Sequence, residues 1–129
     1  MSVIFTIHGL LRWLIAILAV IVIIKFAYGW LAKKPYEPID RGLLSGYTIS
    51  MDINLLLGLI LLVVGGLQPM YRIEHATTMI LAVAAAHMTA IWRKSDDPAR
   101  KFRNQLFMVL ISLLLVLVGV IRLRGGFIY

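Results

Sequence analysis

Four long apolar stretches, separated by short polar or proline-containing segments, set the pattern of the chain. The first runs from about Val3 to Trp30 and ends at Lys33 and Lys34. It is longer than a perpendicular bilayer crossing needs, which predicts tilt or an interfacial first turn. The segment from Lys33 to Arg41 holds Pro35, Pro38 and five charged residues, so a loop at headgroup level is expected there. A second helix is expected over about 42–67, a short turn at Gln68-Pro69, and a third helix over about 71–92. After the polar run Arg93-Lys94-Ser95-Asp96-Asp97-Pro98, a fourth is expected over about 102–121, ahead of Arg122, Arg124 and a Gly-Gly pair.

Each stretch has about the 20 apolar residues that a helical bilayer crossing needs. An open sheet of such stretches would leave edge donors and acceptors unpaired in hydrocarbon, so all four are expected to be helices. Connections this short make neighbours antiparallel. The fold class that follows is all-α, an integral membrane antiparallel four-helix bundle forming one transmembrane domain.

Composition strengthens this reading. The 129 residues are 61% hydrophobic with a mean hydropathy of +0.93, beyond what a soluble domain can bury. Four crossings nearly exhaust the chain, so no extramembrane catalytic domain is expected and any chemistry must sit between helices or at the membrane surface. The N-terminal stretch lacks a basic leader region and a small-residue cleavage site, so it is expected to be retained. With no cysteine, disulfides, thiolate metal sites, iron–sulfur ligation and cysteine nucleophiles are excluded.

The net charge of +7 reads as an orientation signal, and nucleic acid is not expected as a partner, because the bases sit at the ends of apolar runs. Lys33, Lys34, Arg41, Arg93, Lys94, Arg100, Lys101 and Arg103 lie in or beside the first and third connections. Arg12, Arg72, Arg122 and Arg124 lie at the other end, and Lys25, inside the first helix, can snorkel toward the first loop. The positive-inside rule then puts the basic loops in the cytoplasm and both termini on the outer side. Trp30, Tyr36, Tyr47 and Trp92 would form one aromatic belt, and Phe5, Trp13, Tyr71 and Tyr129 the other.

Ionisable groups within a span are costly unless paired or ligated, and each is a candidate for function. His8 and His75 fall near the outer ends of helices one and three, at similar depth in parallel helices. Two imidazoles facing one another there could ligate the iron of a haem b. Met79, Ala82, Ala86 and Ala90 share the helical face of His75 and make a narrow stripe, open to a flat macrocycle or to close helix packing. Arg12, one turn from His8, and Glu74 could pair with each other, contact a haem propionate or snorkel. At the inner end, Ser45, Thr48 and Asp52 form a polar stripe on helix two; Asp52 lies about 15 Å inside helix two and His87 about 8 Å from helix three's inner end, a gap that a bond between them closes only if helix two begins below the interface. That pair could fix helix register, orient a ligand-binding histidine or relay protons to a quinone. Positions 75 and 87 lie about 120° apart around the helix, so they cannot serve one site.

In order and spacing, the chain resembles a group of small bacterial four-helix membrane proteins labelled cytochrome b-like, over almost its whole length. The resemblance rests on His8-Gly9-Leu10-Leu11-Arg12-Trp13, Gly29-Trp30 with Lys33-Lys34 and Tyr36, Asp40-Arg41, Leu56-Leu57-Gly58-Leu59, Glu74-His75 with Met79, and Arg100-Lys101-Phe102. It implies a bacterial cytoplasmic-membrane location and haem b at the outer histidines. In that group helix two carries a histidine where this chain has Asp52, and a late histidine on helix three sits a turn beyond His87. The inner end therefore departs from the group's pattern.

The expected function is a small integral membrane component of a respiratory or photosynthetic electron-transport system, binding haem b through His8 and His75 with Arg12 and Met79 beside them. Its expected partners are membrane lipid and other membrane subunits of a bioenergetic complex. The alternative is a non-catalytic accessory subunit that packs against partner helices, lipid or quinone. No nucleophile–base or multi-ligand spacing predicts independent enzymatic activity, and no broken helix predicts a transporter.

Overall fold

The computed structural model describes residues 2–65 and 71–124; the expected Gln68-Pro69 turn and Tyr129, and the side chains of Tyr71, Arg72, Arg122 and Arg124, lie outside the described residues. Four α-helices fill it: α1 (Ser2–Leu31), α2 (Pro38–Gly65), α3 (Tyr71–His87) and α4 (Pro98–Arg124). A short 3-10 helix, Met88–Trp92, continues α3. There is no strand among the described residues.

The helix ends follow local chemistry that the apolar pattern does not register. At the end of α1, Lys34 N–H bonds the Gly29 carbonyl at 2.9 Å and Lys33 N–H bonds that of Trp30 at 3.4 Å, the two bonds of a Schellman motif. Lys33 adopts the left-handed φ of 57° usually left to glycine, and Pro35 follows. Helix α2 then starts at Pro38, four residues before the expected start. Pro38 takes the first helical position, where a missing N–H costs nothing. Asp40 reaches back to the Glu37 N–H at 2.9 Å, the reach-back bond of a capping box. Helix α4 likewise starts at Pro98 and not near Phe102, because Asp97 Oδ1 accepts the N–H groups of Ala99 (3.1 Å) and Arg100 (3.4 Å).

The helices form a ring. α1 packs against α2 and α4, α3 packs against the same two, and α1 and α3 face each other diagonally without contact. Partners on adjacent helices run in opposite order. His8 meets Asn54 while Lys25 meets Asp40. His75 meets Gly119, Ala82 meets Ser112 and Thr89 meets Gln105.

All four helices are long and apolar enough to cross a membrane: Val3–Leu31, Pro38–Val64, Ile73–Trp92 and Pro98–Val120. Between 11% and 39% of each apolar window is buried inside the bundle, so most of the apolar surface faces outward.

The end that carries the two basic loops is packed by aromatic rings. Phe26, Tyr36 and Phe102 form an aromatic triad, with centroids 5.3 Å apart for Phe26–Phe102 and 4.9 Å for Tyr36–Phe102. Gly29 lets α4 approach, because a Cβ there would lie 2.7 Å from the Phe102 ring. Gly29→Ala is expected to destabilise the protein by about 1–3 kcal/mol through overpacking. Gly46→Ala, which meets open space, is expected to be neutral or stabilising, both variants being compared by unfolding in a denaturing detergent series.

Candidate functional site

Two polar systems cross between helices at the loop end. Lys25 Nζ lies 2.7 Å from Asp40 Oδ1, and the Asp40 side chain is 1% exposed. The expected snorkelling of Lys25 is thus an ion pair across the α1–α2 seam. In the second system, the Tyr36 hydroxyl donates to Gln105 Oε1 at 2.7 Å, and Gln105 Nε2 donates to the Thr89 carbonyl at 3.0 Å. Gln105 therefore ties the first loop, the 3-10 segment and α4 together. Burial, reinforced by the Asp40 charge and opposed by Arg41, pushes the Tyr36 phenol up to about 12, so it stays a neutral donor at ordinary pH.

Tyr47, expected in an aromatic belt, is fully buried in the bundle core. Ser112 Oγ spends its proton on the Ala82 carbonyl at 2.8 Å, so the Tyr47 hydroxyl donates to Ser112 at 2.9 Å. Sequence reasoning missed this chain, because serine and tyrosine inside an apolar run carry no mark of which face they occupy.

The inner pair is in direct contact: His87 Nε2 lies 2.7 Å from Asp52 Oδ1. Asp52 and His87 stand on adjacent helices, and both side chains are about half exposed. The Thr48 hydroxyl bonds back to the Ser45 carbonyl at 3.0 Å, so the polar stripe is partly satisfied within α2.

The outer histidines occupy different seams. His8 Nδ1–H donates to the Asn54 carbonyl of α2 at 3.2 Å, and its ring lies against Gly58, where a Cβ would stand 3.0 Å from Cε1. His75 Nδ1–H donates to the Gly119 carbonyl of α4 at 3.0 Å. A carbonyl only accepts, so both rings are protonated at Nδ1 and carry their lone pair on Nε2 if neutral.

The two routes between them give different depths. Through α4, His8 lies 18 residues before Phe26, which meets Phe102 edge to face, and Gly119 lies 17 residues after Phe102, about 27 and about 26 Å at 1.5 Å per residue. Through α2, His8 meets Asn54 and His87 meets Asp52, so His75, twelve residues before His87, stands about 15 Å farther toward the termini than His8.

Met79 inserts its methyl group where a Gly119 side chain would be, so it packs into α4. Ala82 and Ala86 are core residues, while Ala90 is exposed on the 3-10 segment. Arg12 lies with its guanidinium 5.2 Å from the Trp13 ring centroid. No cluster of three or more His, Cys, Asp or Glu side chains able to hold a metal ion occurs among the described residues.

No family model matches the chain. Neither a curated protein nor a solved structure matches it.

Proposed function

We propose that the protein crosses a bacterial cytoplasmic membrane four times as an antiparallel bundle, basic loops inside and termini outside, and serves electron transport by holding haem b between His8 and His75. The observation that carries this reading is the pair of imidazoles on diagonal helices, each with Nδ1–H bonded to a backbone carbonyl of a neighbouring helix. Metal-ligating histidines characteristically have such a partner, because it fixes ring orientation and tautomer and leaves Nε2 basic. The donor set therefore fits axial ligation of a haem iron. The haem, when bound, supplies a one-electron couple. The chain's own part is to fix the two rings and to exclude water with its apolar helices, with Arg12 one turn from His8.

A non-catalytic accessory subunit is favoured by one specific observation. Ile15, Ala82, Val116 and Val120 are buried between the helices at and below the histidine level. On that reading His8 and His75 are clamps between helices, and the apolar outer faces pack against partner subunits or lipid.

A reduced-minus-oxidised spectrum of protein gently extracted from a haem-replete host separates the two. Sharp α and Soret bands, lost in His75→Ala and in His8→Ala, are expected. Absence of haem bands, together with fixed-stoichiometry co-purification with a larger complex, would overturn haem binding in favour of the accessory subunit.

A further inference from the structure

The loop end holds a second feature, which the electron-transport reading does not use. A cavity of about 170 Å³ opens between α2, the 3-10 segment and α4. Three cations border it from three different elements: Arg41 at the start of α2, Arg93 just after the 3-10 segment, and Lys101 in the first turn of α4. Among the described residues the ion pairs are Lys25–Asp40 and His87–Asp52, so none of these three cations has a carboxylate partner. Asp40, beside Arg41 in sequence, is committed to Lys25.

The acceptors around the cavity are also committed. Gln105 Oε1 takes the Tyr36 hydroxyl, the Thr89 carbonyl takes Gln105 Nε2, and the Asp52 carboxylate behind His87 takes its Nε2–H. Lys101 is held 3.9 Å from the centroid of the Tyr36 ring, and that ring is in turn fixed by its bond to Gln105. The cavity is therefore a concave site bordered by three positive charges, with the Ser45 hydroxyl on its wall and no Asp or Glu among the described residues that line it.

Concentrated, uncompensated positive charge in a polar hollow calls for a multivalent oxyanion. A phosphate suits it best, because guanidinium groups bind phosphate oxygens bidentately and lysine adds a point charge. We propose that this cavity binds a phosphate group, supplied by the headgroup of an anionic phospholipid. Basic pockets between membrane helices at the loop side are suited to such headgroups. The lipid source is favoured by Ile49 and Ile53, which follow Ser45 at one-turn steps on α2. Both expose apolar surface in line with the cavity wall, where an acyl chain would run. Simple snorkelling of separate cations does not account for three elements converging on one hollow.

The test uses full-length protein, delipidated in a neutral detergent. Phosphatidylglycerol, phosphatidylcholine and inorganic phosphate are titrated separately, with thermal stability and native mass spectrometry as readouts. Saturable binding and a raised Tm with phosphatidylglycerol, but not with phosphatidylcholine, are expected. Arg41→Gln and Arg93→Gln should each weaken binding about fivefold, while Lys33→Gln and Lys34→Gln, in the same loop but outside the cavity, should leave it unchanged. Comparable saturable binding of inorganic phosphate, lost in the same two variants, would uphold the phosphate site and assign it to a soluble ligand. Equal responses to the two lipids with no phosphate binding would overturn the proposal, as would equal losses in the cavity and loop variants. Folding of each variant is checked by its unfolding transition without lipid, so a collapsed variant is not mistaken for a lost site.

Discussion

Lys25→Met is expected to lower stability by about 3 kcal/mol, the lower end of the cost of stripping one partner from a buried ion pair. The asymmetry of the pair sets both the sign and the size. Lys25 keeps part of its stem and ammonium accessible, whereas the Asp40 side chain is almost completely enclosed. Asp40 Oδ2 accepts the Glu37 N–H, and among the described residues the ammonium is the partner of Oδ1. Removing the cation leaves a carboxylate buried at the first turn of α2 with half its acceptors unserved, and it also loosens the capping box that starts the helix. Lys25→Met/Asp40→Asn removes both charges and retains an oxygen for the cap, so it is expected to recover more than half of the loss. Unfolding in a denaturing detergent series, run as a double-mutant cycle, gives the coupling directly. A loss below about 1 kcal/mol in the single variant would place the pair with exposed salt bridges and remove its role in joining α1 to α2.

Much of the architecture was legible because a bilayer leaves few options. Long apolar runs with basic ends admit four helices and little else, and the structure has four at nearly the expected places. The differences lie where one residue type has two meanings. Pro38 and Pro98 fall in segments expected to be loops, yet each opens a helix: Asp40 takes the N–H of Glu37, just before α2, and Asp97 takes those of Ala99 and Arg100. Lys33 ends α1 in a conformation that its sequence context does not announce, since glycine is the usual residue there. The inner polar end was visible as Asp52 and His87, because charged groups stand out in an apolar run. Lys25–Asp40 and Tyr36–Gln105–Thr89 were not visible. Their partners lie 15 to 69 positions apart or bond through backbone, and which face each takes depends on how the helices rotate against one another. In an apolar solvent that rotation is set by packing and not by amphipathic pattern. The same physics hides Tyr47. At the other end His8 and His75 were visible as ionisable groups in apolar runs, whereas the seating of His8 depends on Gly58 being small, and His75 bonds the backbone carbonyl of Gly119, whose missing side chain makes room for Met79.

Phe102→Ala is expected to be the most damaging apolar substitution at the loop end, at about 3 kcal/mol. In a soluble core such a loss combines the transfer of the ring from water with the cavity left behind. In the proposed membrane location lipid is as apolar as the core, so the transfer part shrinks and dispersion contacts dominate. Phe102 has an unusual share of those. Its ring meets Phe26 edge-on and Tyr36 at a tilt, lies over the bare backbone of Gly29 and is 1% exposed. No neighbour can fill the gap easily. Phe26 is packed on both sides, Gly29 has no side chain to offer, and Tyr36 is held away by its bond to Gln105. The loss should therefore spread. With its ring support gone, Tyr36 no longer positions the Lys101 cation, so the variant should also bind the phosphate headgroup more weakly at temperatures where it remains folded. Phe102→Leu, which refills part of the volume, is expected to cost less than half as much and to leave lipid binding closer to normal. If Phe102→Ala unfolds like the parent protein, the aromatic triad is not what joins α1, the first loop and α4, and the cross-helix hydrogen bonds alone must hold that end of the bundle together.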